Sequence, residues 1–301
     1  MASDSITPHR DALLARARPD GSFAVAPGSD ARPDATAWAA VALHVTGGAE
    51  KTVAAARRNL ATLQQPDGSV PILPERPSAA WPTPLALLAW LPDPAFRPQA
   101  NAAAAWLLSH PGLHWPKDPK ATYGHDPSIK GWPWIEGTHS WVEPTAQVML
   151  ALAAMGRGEA PQLAEAARML LDRQLPRGGW NYGNTVVFHH TLLPMPESTG
   201  EALTALAALP KPPDRAAVAA SITYQASPEC AVATPLTAAW RAFGLTAWNA
   251  ATPDVLDRVT EALAKQTRYG PYDTPLLAQG LAALAGHGRF AALTQGGPHH
   301  G

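Results

Sequence analysis

The densest set of chemically able side chains lies between Gly131 and Glu201. Glu143 opens the run Glu143-Pro-Thr-Ala-Gln-Val-Met-Leu-Ala-Leu-Ala-Ala-Met155, which has no polar face beyond Gln147. Glu197 stands at the start of a second apolar run, before Ser198-Thr-Gly-Glu201. A carboxyl carried to the edge of an apolar interior loses hydration, its pKa rises, and it becomes a proton donor or a base at neutral pH. Two carboxyls facing one cavity can divide acid and base roles. The plainer reading is helix capping, since Glu before Pro suits a first turn and Glu197 suits a capping box.

The loops leading into these two acids carry His139, His189 and His190. They fit a proton shuttle or, with Glu143, metal ligands; the plainer reading is imidazoles bonded to backbone. With no helical His spacing of the HExxH kind, the expectation is that no metal or other cofactor binds. The loop Gly131-Trp-Pro-Trp-Ile-Glu-Gly-Thr-His139 adds Trp132, Trp134 and Glu136, and Trp141 and Tyr182 lie close in sequence. Aromatic faces beside an acid can stabilise a carbocation, or they can simply pack. Trp81, before an earlier apolar run, and Trp240, inside a later one, extend this candidate wall. Asp34 and Asp273 begin two further apolar runs, where solvated caps are the plainer reading; Asn181 and Asn184 read as turn residues.

Composition bounds what these residues serve. The chain has 301 residues, 46% of them hydrophobic, ample for a large core in one domain, residues 1–301. A net charge of −1 with 16% charged residues offers no basic stripe for nucleic acid. One cysteine, Cys230, allows neither an internal disulfide nor a cysteine-based zinc cluster. No apolar run is long enough to span a bilayer, and Met1–Arg18 lacks a signal segment, so a cytoplasmic protein is expected. The 32 prolines fall between helical patterns and act as punctuation.

The elements that must hold the candidate residues are helices. Alanine is abundant, and apolar residues recur at helical spacing. Amphipathic helices are expected near residues 9–18, 53–65, 99–109, 162–174, 215–225 and 254–266. Nearly all-apolar helices alternate with them, near 35–46, 83–91, 144–156, 198–209, 235–245 and 275–285. The unit repeats about every 50 residues. An all-apolar helix must be shielded on every side, so six of each predict two concentric rings, with an open superhelix as the competitor. Thr83-Pro84, Glu143-Pro144, Thr234-Pro235 and Thr274-Pro275 each set a capping residue before proline at an inner helix start. The inner N-termini then share one rim, rich in free N–H groups.

The turns carry a family signature. Gln64-Gln-Pro-Asp-Gly-Ser-Val70 and Arg173-Gln-Leu-Pro-Arg-Gly-Gly-Trp-Asn-Tyr-Gly-Asn184 follow the second and fourth outer helices, and Pro19-Asp-Gly-Ser-Phe23 is a shortened version. The pattern resembles the QW repeat of the terpenoid cyclase and protein-prenyltransferase α/α-toroid superfamily. The Gln174–Trp180 turn is nearly complete, whereas Gln64–Val70 lacks the Trp. The resemblance implies an all-α toroid, an (α/α)6 barrel of six hairpins, over the whole chain. The superfamily's chemical signatures do not come with it: DxDD and DDxxD are absent, and Cys230 follows Pro228-Glu229 rather than completing an Asp-x-Cys zinc pair.

Three functions stay open at this level. A terpene-cyclase-like enzyme would act on an elongated isoprenoid in a central aromatic-lined cavity, with Glu143, His139 and Glu197 at its polar end. A non-catalytic toroid would hold a lipid, a peptide or a partner protein. A carbohydrate-active (α/α)6 enzyme would use Glu143 and Glu197 as its acid pair and Trp132 and Trp134 as sugar platforms. Peripheral membrane contact fits an isoprenoid substrate, although no basic amphipathic segment announces it.

Overall fold

A computed structural model describes residues 2–230 and 234–295. The chain forms α1 (Ala2–Leu14), α2 (Pro33–Thr46), α3 (Glu50–Leu63), α4 (Thr83–Trp90), α5 (Arg97–Ser109), α6 (Val142–Ala154) and α7 (Pro161–Asp172). A small hairpin, β1 (Val186–Val187) and β2 (His190–Thr191), follows. Then come α8 (Pro196–Ala207), α9 (Arg215–Ala226), α10 (Pro235–Ala247), α11 (Val255–Ala264), the single turn α12 (Gln266–Tyr269) and α13 (Thr274–Ala285).

The alternation expected from the sequence is the architecture. Helices α2, α4, α6, α8, α10 and α13 pack each on the next, and α13 packs back on α2, so the inner ring closes. Each has buried residues around its whole circumference, whereas α3, α7 and α11 bury one face only. Apolar content on all sides pays off only in the centre; one apolar stripe suits the outside. The seam is pinned by Arg16 just past α1, whose guanidinium donates to the Thr274 hydroxyl at 3.0 Å and the Tyr272 carbonyl at 2.6 Å. The first helix runs over Ala2–Leu14 rather than to residue 18, because Arg16–Ala24 is already folded into a turn, with the Ala24 amide bonded to the Arg16 carbonyl.

One local device recurs. Inner-helix threonines Thr36, Thr83, Thr145 and Thr199 accept through their hydroxyls the backbone N–H of Phe23, Val70, Trp132 and Trp180, at 2.9–3.0 Å. Each bond ties the segment after an outer helix to the first turn of the next inner one, worth about 1 kcal/mol apiece. Three of those segments contain Gly21, Gly68 and Gly178 at positive φ, and a Cβ there would fall within 2.3–2.4 Å of the backbone of Ala55, Ala102 and Ala220 on the next outer helix. Only glycine allows both that backbone and that approach.

Three helix starts differ from the sequence reading: Thr83 does not cap α4 but is its first residue, after Pro82, and the other two are at Glu143 and Thr274. Glu143 does not cap α6: the helix begins at Val142, with Glu143 second and Pro144 third. The Val142 N–H is satisfied outside the helix by the Tyr182 carbonyl at 2.9 Å, so the helix extends past the proline. Thr274 likewise lies inside α13, and the cap is Asp273, whose carboxylate accepts from the Leu276 N–H. Thr234 caps α10 as expected, in a capping box with Thr237. Among the described residues no helix is long and apolar enough to cross a membrane.

Candidate active site

The ring sets the inner helices in one register, and the register creates the site. Asp34, Glu143 and Glu197 are each the second residue of their helices, two before Thr36, Thr145 and Thr199. Trp81 stands two before Thr83. These four form a rim. One helical turn deeper come Trp38, Leu85, Gln147 and Glu201, each four residues on. Below the rim opens a cavity of about 540 Å³. Its wall is mostly apolar: Trp38, Ile72, Trp81, Leu85, Trp134, Ile135 and Pro275; its polar groups are Asp34, Arg76, Glu143, Gln147 and Gln279.

Aromatic rings shape this space. Trp81 and Trp134 meet edge to face at 5.3 Å. Trp38 meets Trp240 edge to face at 6.2 Å, and Trp240 stacks on Phe290 from the C-terminal turn. Trp240 is buried behind Trp38, and its indole N–H donates to Gln279 Oε1 at 2.8 Å. It therefore supports the wall and positions Gln279. Trp132 is also buried; its indole donates to the Leu107 carbonyl at 2.7 Å. With Glu136 it borders a separate void of about 20 Å³, room for a water molecule.

Glu143 and Asp34 are the two carboxyls on this cavity wall. Gln147 Nε2 donates to Glu143 Oε1 at 3.2 Å. Burial, and secondarily the charge of Glu197, pushes the Glu143 pKa up to about 7, against the smaller pull of the Gln147 bond. A helix N-terminus favours a carboxylate by about 0.3–1 kcal/mol, up to ~2. Desolvation outweighs that here: a carboxyl titrating near 7 is held about 3 kcal/mol toward its neutral form. Glu197 is half-buried and accepts from the Tyr182 hydroxyl at 3.4 Å; Tyr182 is itself largely exposed. Asp34 is buried but gripped by Arg32 through bonds of 2.9 and 2.6 Å.

The histidines stand elsewhere. His139 lies against Trp141, ring centres 4.4 Å apart, with burial and Arg173 lowering its pKa. Neither ring is on the cavity wall. Arg173 donates to the Ser140 carbonyl at 2.5 Å, which fixes the approach to α6. His189 and His190 are exposed at the β1–β2 hairpin, where Phe188 and His189 adopt positive φ. Among the described residues, no group of three or more His, Cys, Asp or Glu side chains is arranged to hold a metal ion.

Sequence reasoning passed over Trp38, Gln279, Arg76 and Glu201 as site residues. A usable signal existed for two of them. Gln279 and Glu201 are polar residues inside helices otherwise apolar all round, and such residues need a partner or a task.

No family model matches the sequence. A curated relative, drimenyl diphosphate synthase of Streptantibioticus cattleyicolor, is 31% identical over 184 residues, 57% of this chain. The match spans 32% of that relative, about a third of its length. In three dimensions the chain superposes on the type II terpene cyclase MstE from Scytonema with a TM-score of 0.67, covering 95% of this chain and 98% of MstE at 16% identity. The fold is the α/α toroid of the terpenoid cyclases. The toroid also carries other chemistry: an α-1,6-mannanase (GH76A) of Salegentibacter superposes with a TM-score of 0.64, over 98% of this chain and all of that enzyme, at 11% identity.

Proposed function

We propose that residues 1–301 form one toroid domain that acts as a terpenoid-cyclase-like enzyme on an elongated isoprenoid, with Glu143 as the proton donor. The observation that carries this reading is the placement of Glu143 on an apolar, tryptophan-lined cavity, where burial pushes its pKa up to about 7. Such a group is about half protonated at neutral pH and largely protonated below it. It protonates a terminal alkene or epoxide, its O–H bond breaking as a C–H or O–H bond forms on the substrate. The cation that results is attacked by internal double bonds, and the final cation loses a proton. The faces of Trp38, Trp81 and Trp134 stabilise the migrating charge, each by about 1–2 kcal/mol in a dry site. Gln147 bonds the carboxylate left on Glu143, and a hydrogen bond to a charged acceptor is stronger than to a neutral one.

The comparisons support this reading in kind: variants of MstE were captured with geranylgeranyl dihydroxybenzoate, an isoprenoid substrate, and the sequence relative is named for a terpenoid diphosphate. Since the same toroid serves a mannanase, the choice rests on the cavity. A sugar platform would present polar groups along an open cleft; here aromatic and aliphatic side chains dominate the wall.

The test is incubation with linear isoprenoids, both diphosphates and squalene-type hydrocarbons, and in parallel with an α-1,6-mannan, products read by mass spectrometry. The expected result is a cyclised isoprenoid absent with Glu143→Gln. Sugar release lost in both Glu143→Gln and Glu197→Gln would assign the two acids to glycosidic cleavage instead. A folded protein that turns over neither substrate would leave a toroid that binds without chemistry.

A further inference from the structure

Among the described residues, eight large apolar side chains are 41–79% exposed, and all eight lie at one end of the ring. Leu73 precedes α4, and Leu113, Trp115 and Ile135 precede α6. Tyr182, Phe188 and Leu193 precede α8, and Tyr269 in α12 precedes α13. These are the segments that lead into inner helices. The segments at the opposite end, which lead from inner helices to outer ones, hold none. A single exposed apolar residue is ordinary on a protein surface. Eight at one end of a barrel, seven of them on three consecutive connections, are a patch.

Hydrogen bonds join those three connections. The Glu136 N–H donates to the Ser78 carbonyl at 2.8 Å, and the Leu113 N–H to the Thr138 carbonyl at 2.8 Å. The Val142 N–H reaches the Tyr182 carbonyl at 2.9 Å, and Asn181 Nδ2 the Leu193 carbonyl at 2.7 Å. Together they make one continuous half of the rim. The cavity reaches the surface in this half, because the exposed residues Arg76 and Ile135 stand on its wall, as does Ile72 beside Leu73.

Phe188 is held outward at a cost. It turns the β1–β2 hairpin at φ 47°, with His189 at φ 66°, in a two-residue turn that Asn-Gly would make without strain. A bulky residue rarely takes that conformation. Packing gives no reason for it, since Phe188 is 76% exposed. The exposed formal charges of this half cancel: Arg76, Lys117, Lys120 and Arg177 stand against Asp67, Glu75, Asp118 and Glu136. Such a face is recognised through its apolar area, not through net charge.

We propose that this half of the rim is a bilayer-docking face. Its apolar side chains sink into the interfacial layer of a membrane, Phe188 and Leu193 furthest, and the cavity mouth opens against the acyl chains. The proposal rests on the cavity taking an isoprenoid. Such a chain dissolves in a bilayer far better than in water, and a mouth held against the membrane admits it without a water crossing. A protein seated on the same residues would cover the mouth instead. The rings of Trp115 and Tyr182 suit the headgroup level. The contact is one-sided, since no described helix is long and apolar enough to cross a membrane.

The test mixes the full-length protein with sucrose-loaded vesicles of phosphatidylcholine alone and sediments them. The wild type is expected to pellet with the vesicles, and high salt should not release it, because an apolar contact is not screened. Phe188→Ser combined with Leu193→Ser, its fold checked by circular dichroism, should weaken partitioning about tenfold or more. As a second readout, brominated phosphatidylcholine should quench part of the tryptophan emission, and Trp115→Phe should remove that part. Wild type left in the supernatant overturns the proposal. So does release by salt, pelleting unchanged in the double variant, or quenching unchanged in Trp115→Phe. A wild-type dimer that the double variant dissolves, with no vesicle binding by either, makes this a face between two copies and also overturns it. The outcome is separable from that of the functional reading. Vesicle binding without isoprenoid turnover removes the cyclase and keeps the docking face. Turnover of detergent-dispersed isoprenoid by a protein that ignores vesicles keeps the cyclase and removes the face.

Discussion

Asp34 and Glu143 occupy one position of the repeat, second in an inner helix and two before an anchoring threonine, and both line the same cavity. Their surroundings are opposite. Arg32 closes on Asp34 with two charged bonds, at 2.9 and 2.6 Å, and neutralises it. Glu143 has a neutral amide at 3.2 Å and, on the neighbouring helix α8, another carboxyl, Glu197. The helix N-terminus, common to both, favours the anion in each case by a small amount. What differs is the partner: a guanidinium at Asp34, a neutral amide at Glu143. The ring offers one acid of each kind to the same cavity.

The comparison breaks most sharply in activity. Glu143→Gln is expected to lower cyclisation about a thousandfold or more, whereas Asp34→Asn, measured on the same substrate, should cost less than about tenfold. Equal losses would mean that position rather than environment sets the role. Stability should separate the pair next. The Glu143 pKa is raised, so the folded state binds a proton that the unfolded chain releases above the ordinary glutamate range. The stability this provides is fully present below about pH 4.5 and is lost as pH rises through about 7, up to roughly 3 kcal/mol. Denaturant titrations at pH 5 and 8 should show that decline in the wild type and a smaller one in Glu143→Gln. A smaller effect, about 1–2 kcal/mol, is expected from Arg32→Ala, which leaves the buried Asp34 without its cation. The smallest change belongs to Glu197→Gln. Removing that charge lowers the Glu143 midpoint, yet burial is the larger cause, so the pH–rate profile should move toward acid without reaching the usual glutamate range.

The fold was legible because its signal is local. Apolar and amphipathic helices alternate within each repeat, and a helix without a polar face has few places to go. The site was legible in part: Glu143, Trp81 and Trp134 do line the cavity. Its register was not. The threonine anchors at 36, 83, 145 and 199 set which residues face inward, and their partners lie 13–19 positions upstream, a spacing that no helical or strand period reveals. Asp34 and Trp38 reach Glu143 only because the ring closes, so sequence distance hid them. The histidines misdirect for a related reason. Proximity to Glu143 and Glu197 along the chain suggested one site, but α6 and α8 carry their acids inward while the preceding segments run outward over Trp141 and the hairpin. Glu143 as a cap failed on a bond from Val142 to Tyr182, forty residues apart in sequence.

The most direct measurement is the titration of Glu143 itself, by carbon NMR of protein labelled at glutamate carboxyls, with the resonance assigned by its loss in Glu143→Gln. A midpoint near pH 7 that stays high in Asp34→Asn is the result expected for a buried acid poised to donate. A midpoint near 4.5 would make Glu143 a plain carboxylate at neutral pH and would contradict its role as the proton donor.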